Sequence, residues 1–242
     1  MRIPRIYHPE LLHVDQMVTL SKDASNHVIN VLRLKNEHPV VLFNGDGNEY
    51  SAELQIIGKR QAEALVLSKL SISVESSLEI HLGQGISKGD RMDFVIQKAV
   101  ELGVTEITPL ITERCVVKLN QERWQKKSQQ WQKIAISACE QCGRNFLPTI
   151  HSPMPLQEWM QQSTRQLRLT LNPKADKRLL QLNLPRDGVR LLIGPEGGLS
   201  DSEVYQSEQN GFHDVSLGPR VLRTETAALA TLAILQAQFG DL

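Results

Sequence analysis

The chain has no excess of either charge: 27 lysines and arginines stand against 27 aspartates and glutamates, a formal net charge of zero over 242 residues. This excludes a protein drawn to nucleic acid by its overall field, so any contact with a polyanion has to come from local patches. Cysteine is scarce as well. Three thiols, Cys115, Cys139 and Cys142, are too few for a disulfide framework. Cys139 and Cys142 form a C-x-x-C, yet no second pair answers it and the seven histidines are scattered. Helix-face thiols in a reducing compartment explain that motif better than a redox pair or half a zinc site. No apolar run approaches membrane length, and the N-terminal MRIPRIYHPELL lacks the apolar core and small-residue cleavage site of a leader. A soluble, cytoplasmic protein with no metal is expected.

What is present falls into two parts, and 242 residues suffice for two modest domains. Up to about residue 70, Pro4, Pro9 and Pro39 oppose long helices, while short extended runs recur at 17–20, 40–43, 49–56 and 64–67. Asn44-Gly45-Asp46-Gly47 lies between two of these runs, and Asn and Gly tolerate the positive φ of a hairpin turn. A short helix is predicted over 24–31, and the close strand spacing suggests a small barrel. The Ser-rich stretch 70–77 has no apolar run and marks a boundary, giving domains of 1–72 and 73–242.

In the second part strands and helices alternate, which implies an α/β fold. A strand over 78–82 leads into Gly83-Gln84-Gly85-Ile86-Ser87-Lys88-Gly89 and then a helix over 90–102. Gly-x-Gly-x-x-x-Gly in that position is close to a dinucleotide fingerprint, which would make the protein a nicotinamide oxidoreductase. The strict spacing is missed, however, and no acidic residue closes the next strand. Further helices are predicted over 122–141 and 158–163, with a strand over 167–171. Trp124, Trp131, Ile134, Ala135 and Ala138 share one helical face and read as core anchors. Around them Arg114, Lys118, Arg123, Lys126, Lys127, Lys133 and Arg144 outnumber Glu113, Glu122 and Glu140. This locally basic region is either a solvated face or a grip on an RNA backbone.

The C-terminal forty-odd residues carry the most information. The apolar run Val189–Ile193 ends at Gly194-Pro195-Glu196-Gly197-Gly198, and Ser200 with Glu203 makes a capping-box signature. A second apolar run over 215–217 is broken by Gly218-Pro219, and a final helix runs from Thr224 to about Phe239. With Leu171 and Asn172, three strand-end loops are brought side by side, where α/β sheets bind small ligands. The final helix is apolar around its whole circumference, so it should be enclosed or paired.

The segments GPEGGLSDSEV and SLGPRVLRTETAALA, with KGDRMDFVIQKAVELGV upstream, closely resemble the bacterial 16S ribosomal RNA uracil-N3 methyltransferase family. That family belongs to the SPOUT class of S-adenosylmethionine-dependent enzymes, and the resemblance covers nearly the whole chain. It implies a PUA-like β-barrel RNA-binding domain followed by an α/β methyltransferase domain with a C-terminal trefoil knot. It also implies a homodimer formed through the C-terminal domain, and a uridine of 16S ribosomal RNA in the small ribosomal subunit as substrate. A relative acting on transfer RNA, or a non-catalytic RNA-binding assembly factor, is the alternative.

Site residues follow from loops and resemblance together. S-adenosyl-L-methionine is assigned to Leu171, Asn172, Ile193, Gly194, Glu196, Gly197, Gly198, Ser216, Leu217, Gly218, Leu222 and Thr226, since glycines let a ligand approach backbone closely. On the acceptor side, Arg223 and then Arg220 could stabilise the anion of a deprotonated uracil. Glu225 could accept the proton, or could simply satisfy the helix dipole. Arg2, Arg5, Arg33, Lys88, Arg91, Arg114, Lys118 and Arg144 are the candidates for RNA phosphates. Methyl transfer from a sulfonium asks for no metal.

Overall fold

Alternating burial along two long neighbouring strands builds the first of two units. The computed structural model describes residues 3–117, 119–183 and 187–242. Met1–Glu75 and Cys139–Leu147 form one unit; Ser76–Ala138 and Pro148–Leu242 form the other.

In the first unit, β1 (Arg5–Tyr7), β2 (Met17–Thr19), α1 (Lys22–Asn26), β3 (Pro39–Phe43), β4 (Glu49–Gly58) and β5 (Gln61–Leu70) follow in order. The sheet runs β1-β3-β4-β5-β2, parallel between β1 and β3 and antiparallel elsewhere. Every second residue from Tyr50 to Leu54 and from Ala62 to Val66 is buried, the period of a strand with one face on a core. That core includes Ile6, Val18, Val28, Leu42, Leu54 and Val66. The Asn44–Gly47 hairpin signal is realised: Asp46 N–H donates to Asn44 Oδ1 at 3.1 Å, and the Tyr50 hydroxyl donates to Asp46 Oδ2 at 2.7 Å. The helix predicted over 24–31 begins earlier, capped by Ser21, and becomes a π-type turn over His27–Val31.

The second unit contains β6 (Ile80–Gly85), α2 (Asp90–Glu101), β7 (Glu106–Ile111) and α3 (Gln121–Cys142), whose last residues count with the first unit. There follow β8 (Thr149–Ile150), β9 (Met154–Pro155), α4 (Leu156–Gln161), β10 (Leu167–Leu171), β11 (Val189–Ile193), α5 (Asp201–Gln209), β12 (His213–Val215) and α6 (Thr224–Phe239). The strands form one sheet, β12-β10-β11-β6-β7-β8 with β9 beside β7, and all its pairings are parallel. Every residue of β6 and β11 is buried, as expected of strands covered on both faces.

One sequence reading is corrected here. The first half of the Gly83–Gly89 stretch is strand, since β6 continues through Gly85 and only residues 86–89 connect it to α2. A Cβ on Gly83 would lie 2.4 Å from the Trp159 ring, and one on Gly85 would lie 2.4 Å from Pro195 N. Gly83 and Gly85 admit close packing within a strand, so the first two glycines of the dinucleotide reading are not in its loop. The final helix, expected to be enclosed or paired, is enclosed by its own chain on one side. Ala227, Ala228, Leu232 and Leu235 are buried on the side that meets α2, while Leu229, Ala230, Ala233 and Ile234 are half-exposed. The tryptophan reading agrees with the packing. Trp131 is buried, its indole N–H donating to Asp93 Oδ1 at 2.9 Å, and Trp124 is half-buried beside it.

Candidate functional site

At the C-terminal ends of β10, β11 and β12 the chain turns away from the sheet in three loops. These loops enclose a cavity of about 680 Å³, within the ~300–1,000 Å³ typical of small-molecule sites. Leu171, Asn172, Ile193, Gly194, Glu196, Gly197, Gly198, Ser216, Leu217, Gly218 and Leu222 all line it. Of the twelve residues expected there, Thr226 stands apart: it is exposed on α6, and Thr224 and Ala227 line the cavity in its place. The helix phase explains this, because two residues along a helix is a turn of about 200°.

Hydrogen bonds hold each loop. The Gly194–Gly198 loop closes through Gly198 N–H to the Pro195 carbonyl at 2.9 Å, with Gly198 at a φ of 68°, a conformation that favours glycine. Behind it the capping box of α5 is formed: Ser200 Oγ accepts from Glu203 N–H at 3.1 Å, and Glu203 Oε2 accepts from Ser200 N–H at 2.8 Å. The other carboxylate oxygen of Glu203 accepts from Glu113 N–H at 2.7 Å. Thr224, at the start of α6, donates its hydroxyl to the Gly194 carbonyl at 2.6 Å and accepts from Gln84 Nε2 at 2.9 Å. Gln84 and Thr224 are both buried, so β6, β11 and α6 are locked together beneath the cavity. Asn172 donates through Nδ2 to Asp214 Oδ2 at 2.6 Å, and its N–H bonds the Val215 carbonyl.

Charge is distributed around the rim. Glu196, Asp201 and Glu208 supply carboxylates, and Arg114, Lys174 and Arg220 supply cations. Glu196 accepts from Lys88 N–H and from Arg91, each at 2.9 Å. Burial alone would raise its pKa; the hydrogen bonds from its own N–H, Lys88 and Arg91 outweigh that and lower it. Arg114 bonds the Gly197 and Leu199 carbonyls and so buttresses the loop.

The residues expected on the acceptor side divide. Arg220 lines the cavity; Arg223, exposed at the N-cap of α6, and Glu225, in its first turn, do not. Glu225 Oε2 is buried with no hydrogen-bond partner. Of the RNA candidates, Arg33, Lys88, Arg91 and Arg114 are exposed, while Arg2 and Lys118 lie outside the described residues. Arg5 and Arg144 are corrected. Arg5 pairs with Glu49, donates to Asn145 Oδ1 at 2.6 Å and lies over the Phe43 ring. Arg144 is 5 % exposed and binds Glu75 at 2.7 Å. Both guanidiniums are engaged inside the first unit, where a phosphate does not reach them. Thr224 and Tyr205 line the cavity and Gln84 bonds Thr224, and the sequence reading missed all three. A lone Gln in a strand or a Thr opening a helix carries no local signal of such a role.

Comparison with known proteins gives a consistent result. A family model described as an RNA methyltransferase domain matches residues 74–236, and one described as an RNA methyltransferase PUA domain matches residues 20–67. Ribosomal RNA small subunit methyltransferase E of Buchnera aphidicola subsp. Schizaphis graminum is 41 % identical over 242 residues, covering 100 % of this chain and 98 % of that protein. The Bacillus subtilis protein of the same name is 31 % identical, over 91 % of this chain and 90 % of its own. Among solved structures, a Legionella pneumophila protein in complex with the bound cofactor SAM superposes with a TM-score of 0.97 at 46 % identity, covering both chains completely. Ribosomal RNA small subunit methyltransferase E from Neisseria gonorrhoeae, bound to S-adenosyl methionine, gives 0.93 at 41 % identity, again over 100 % of each chain. With two domain models matched in order and full-length relatives above 40 % identity, this chain belongs to the RNA methyltransferase family that includes the ribosomal RNA small subunit methyltransferases E.

Proposed function

We propose that this protein transfers a methyl group from S-adenosylmethionine to N3 of a uridine in 16S ribosomal RNA, working in the cytoplasm on the small ribosomal subunit. The observation that carries this reading is the convergence of three strand-end loops on one cavity. The residues present fit the cofactor. Leu171, Ile193, Leu217 and Leu222 offer apolar walls, and Asn172, Ser216 and the loop peptides offer polar edges. Glu196, Asp201 and Glu208 give carboxylates suited to a cationic ligand. S-adenosylmethionine supplies an electrophilic methyl on a sulfonium whose leaving group is a neutral thioether. The chain's part is to position two reactants and keep water out. Gly194, fixed by Thr224, sets the floor of the cavity. This reading assigns Arg220, which lines the cavity, and Arg223, which does not, to the acceptor side, where either guanidinium would stabilise charge on the oxygens of a deprotonated uracil. Glu225, whose Oε2 has no hydrogen-bond partner, is the residue to which this reading gives the N3 proton.

The half-exposed apolar strip Leu229, Ala230, Ala233 and Ile234 on α6 supports a homodimer closed through the C-terminal domain. A trefoil knot in the C-terminal loops belongs to the same reading. The deciding experiment incubates small subunits from a strain lacking the enzyme with protein and labelled cofactor, followed by nucleoside mass spectrometry. Appearance of 3-methyluridine is the expected result. Label in transfer RNA instead would redirect the substrate, and cofactor binding without transfer would make the protein an assembly factor.

A further inference from the structure

At the opposite, N-terminal end of the same parallel sheet lies a second cavity, of about 650 Å³, that methyl transfer does not use. Register places Arg190 of β11, His81 of β6 and Glu106 of β7 side by side in one row across three adjacent strands. His151, one residue past β8, reaches the same point. Its Nε2 lies 2.7 Å from Glu106 Oε2, and His81 Nδ1 lies 3.7 Å from that oxygen. One ligand atom from each of the three side chains falls within 4.8 Å of the others. All three residues line the cavity.

We propose that His81, Glu106 and His151 form a binding site for a divalent first-row transition-metal ion, zinc being the ion their donor set fits best. Two imidazole nitrogens and one carboxylate oxygen are the ligands of open, three-residue zinc sites. Bond lengths of ~2.0–2.2 Å place tetrahedral ligand atoms roughly 3.4 Å apart. The present separations bracket that value, so small side-chain rotations bring the three atoms to one ion. The contact between His151 and Glu106 is a hydrogen bond whose proton the ion replaces. Bound through Nδ1, His81 carries its proton on Nε2, where Thr108 Oγ1 stands 2.8 Å away to accept it; such an outer partner fixes the ring of a metal-bound histidine. Trp159 Nε1–H, now 3.3 Å from His81 Nε2, gives up that contact. The nearest opposing charge is Arg190. Its guanidinium stacks on Trp159 with its carbon 4.2 Å from the ring centroid, and it donates to the Trp159 carbonyl and to Gln162 Oε1. Glu79, Asp187 and Arg165 also line the cavity. The fourth coordination position opens into the cavity, to water or to a small ligand. The ion would tie β6, β7 and the segment after β8 together at the end of the sheet remote from the cofactor cavity.

The test titrates Zn2+ into the chelator-treated full chain by calorimetry, with Co2+ absorption to report coordination geometry. One equivalent of Zn2+ bound at micromolar or tighter Kd, with a rise in Tm on binding, is expected. His151→Ala, at the half-exposed end of the cluster, and Glu106→Gln should each weaken binding ~100-fold while circular dichroism shows the fold retained. Absence of Zn2+ binding overturns the proposal. So does binding that survives both substitutions, since it would then belong to thiols or surface groups. Methyltransferase activity is not the readout, so this result stands or falls apart from the proposed function.

Discussion

Arg220 and Arg223 lie three residues apart, yet only the first touches the cavity wall. This separates two roles that the sequence left together. Under the proposed function, Arg223 can act on the acceptor base without touching the donor, whereas Arg220 could contact both. Arg223→Ala should therefore lower kcat by ~10²–10³, the loss typical of removing one oxyanion donor, while cofactor Kd measured by calorimetry stays within about twofold. Loss of cofactor binding instead would move Arg223 into the donor site. Cys139 gives a test of a different kind. Burial pushes its thiol pKa up from 9.0 to about 12. The folded state thus keeps a proton that the unfolded chain loses first. The stability this contributes is complete below about pH 9 and disappears as the pH approaches about 12. Tm should fall more steeply across that range for the native chain than for Cys139→Ala, and native Cys139 should resist alkylation at pH 8.

At the scale of elements, the cavity depends on how closely β6 approaches the loop after β11. Gly85→Ala would place a methyl 2.4 Å from Pro195 N, and backbone cannot move aside as a flexible side chain can. A loss of about 1–3 kcal/mol in urea unfolding is expected, with cofactor affinity at least ~10-fold weaker because the Gly194–Gly198 loop is displaced. Glu203 tests the loop from its other side. Its carboxylate, in a residue 8 % exposed, accepts from Ser200 N–H and from Glu113 N–H. Glu203→Ala leaves buried donors without acceptors and should cost about 2–3 kcal/mol in the same measurement. Elements of this kind were legible where the pattern was local. The strands Leu167–Leu171 and Val189–Ile193 and the helix Thr224–Phe239 have the bounds that the apolar runs imply. The Gly83–Gly89 stretch was misread because a glycine that admits a distant tryptophan has the same local appearance as a glycine that makes a turn.

At the scale of the molecule, the proposed dimer would connect zero net charge with the half-exposed α6 strip. A protein without a global positive field gains hold on a large RNA by presenting several weak patches at once, and a dimer doubles them. Replacing Leu229 or Ile234 by Asp should give a monomer by light scattering and reduce methylation, with Tm little changed if the strip faces only the partner. RNA affinity should fall with salt at a modest logarithmic slope of ~2–4. Arg5 and Arg144, both expected to face phosphate, are already engaged within the first unit, which shortens the list of cations available.

The sequence by itself determined the alternation of strands and helices, the glycine-bearing bends and their place at strand ends, because period, capping and turn chemistry act over a few neighbours. Tertiary structure alone decided which arginines are buried, which threonine supports the Gly194–Gly198 loop, and how residues 81, 106 and 151 come to share one point. Those juxtapositions depend on strand order and register across the sheet, and in a parallel sheet neighbouring strands are separated by long crossovers that no short stretch of chain can report.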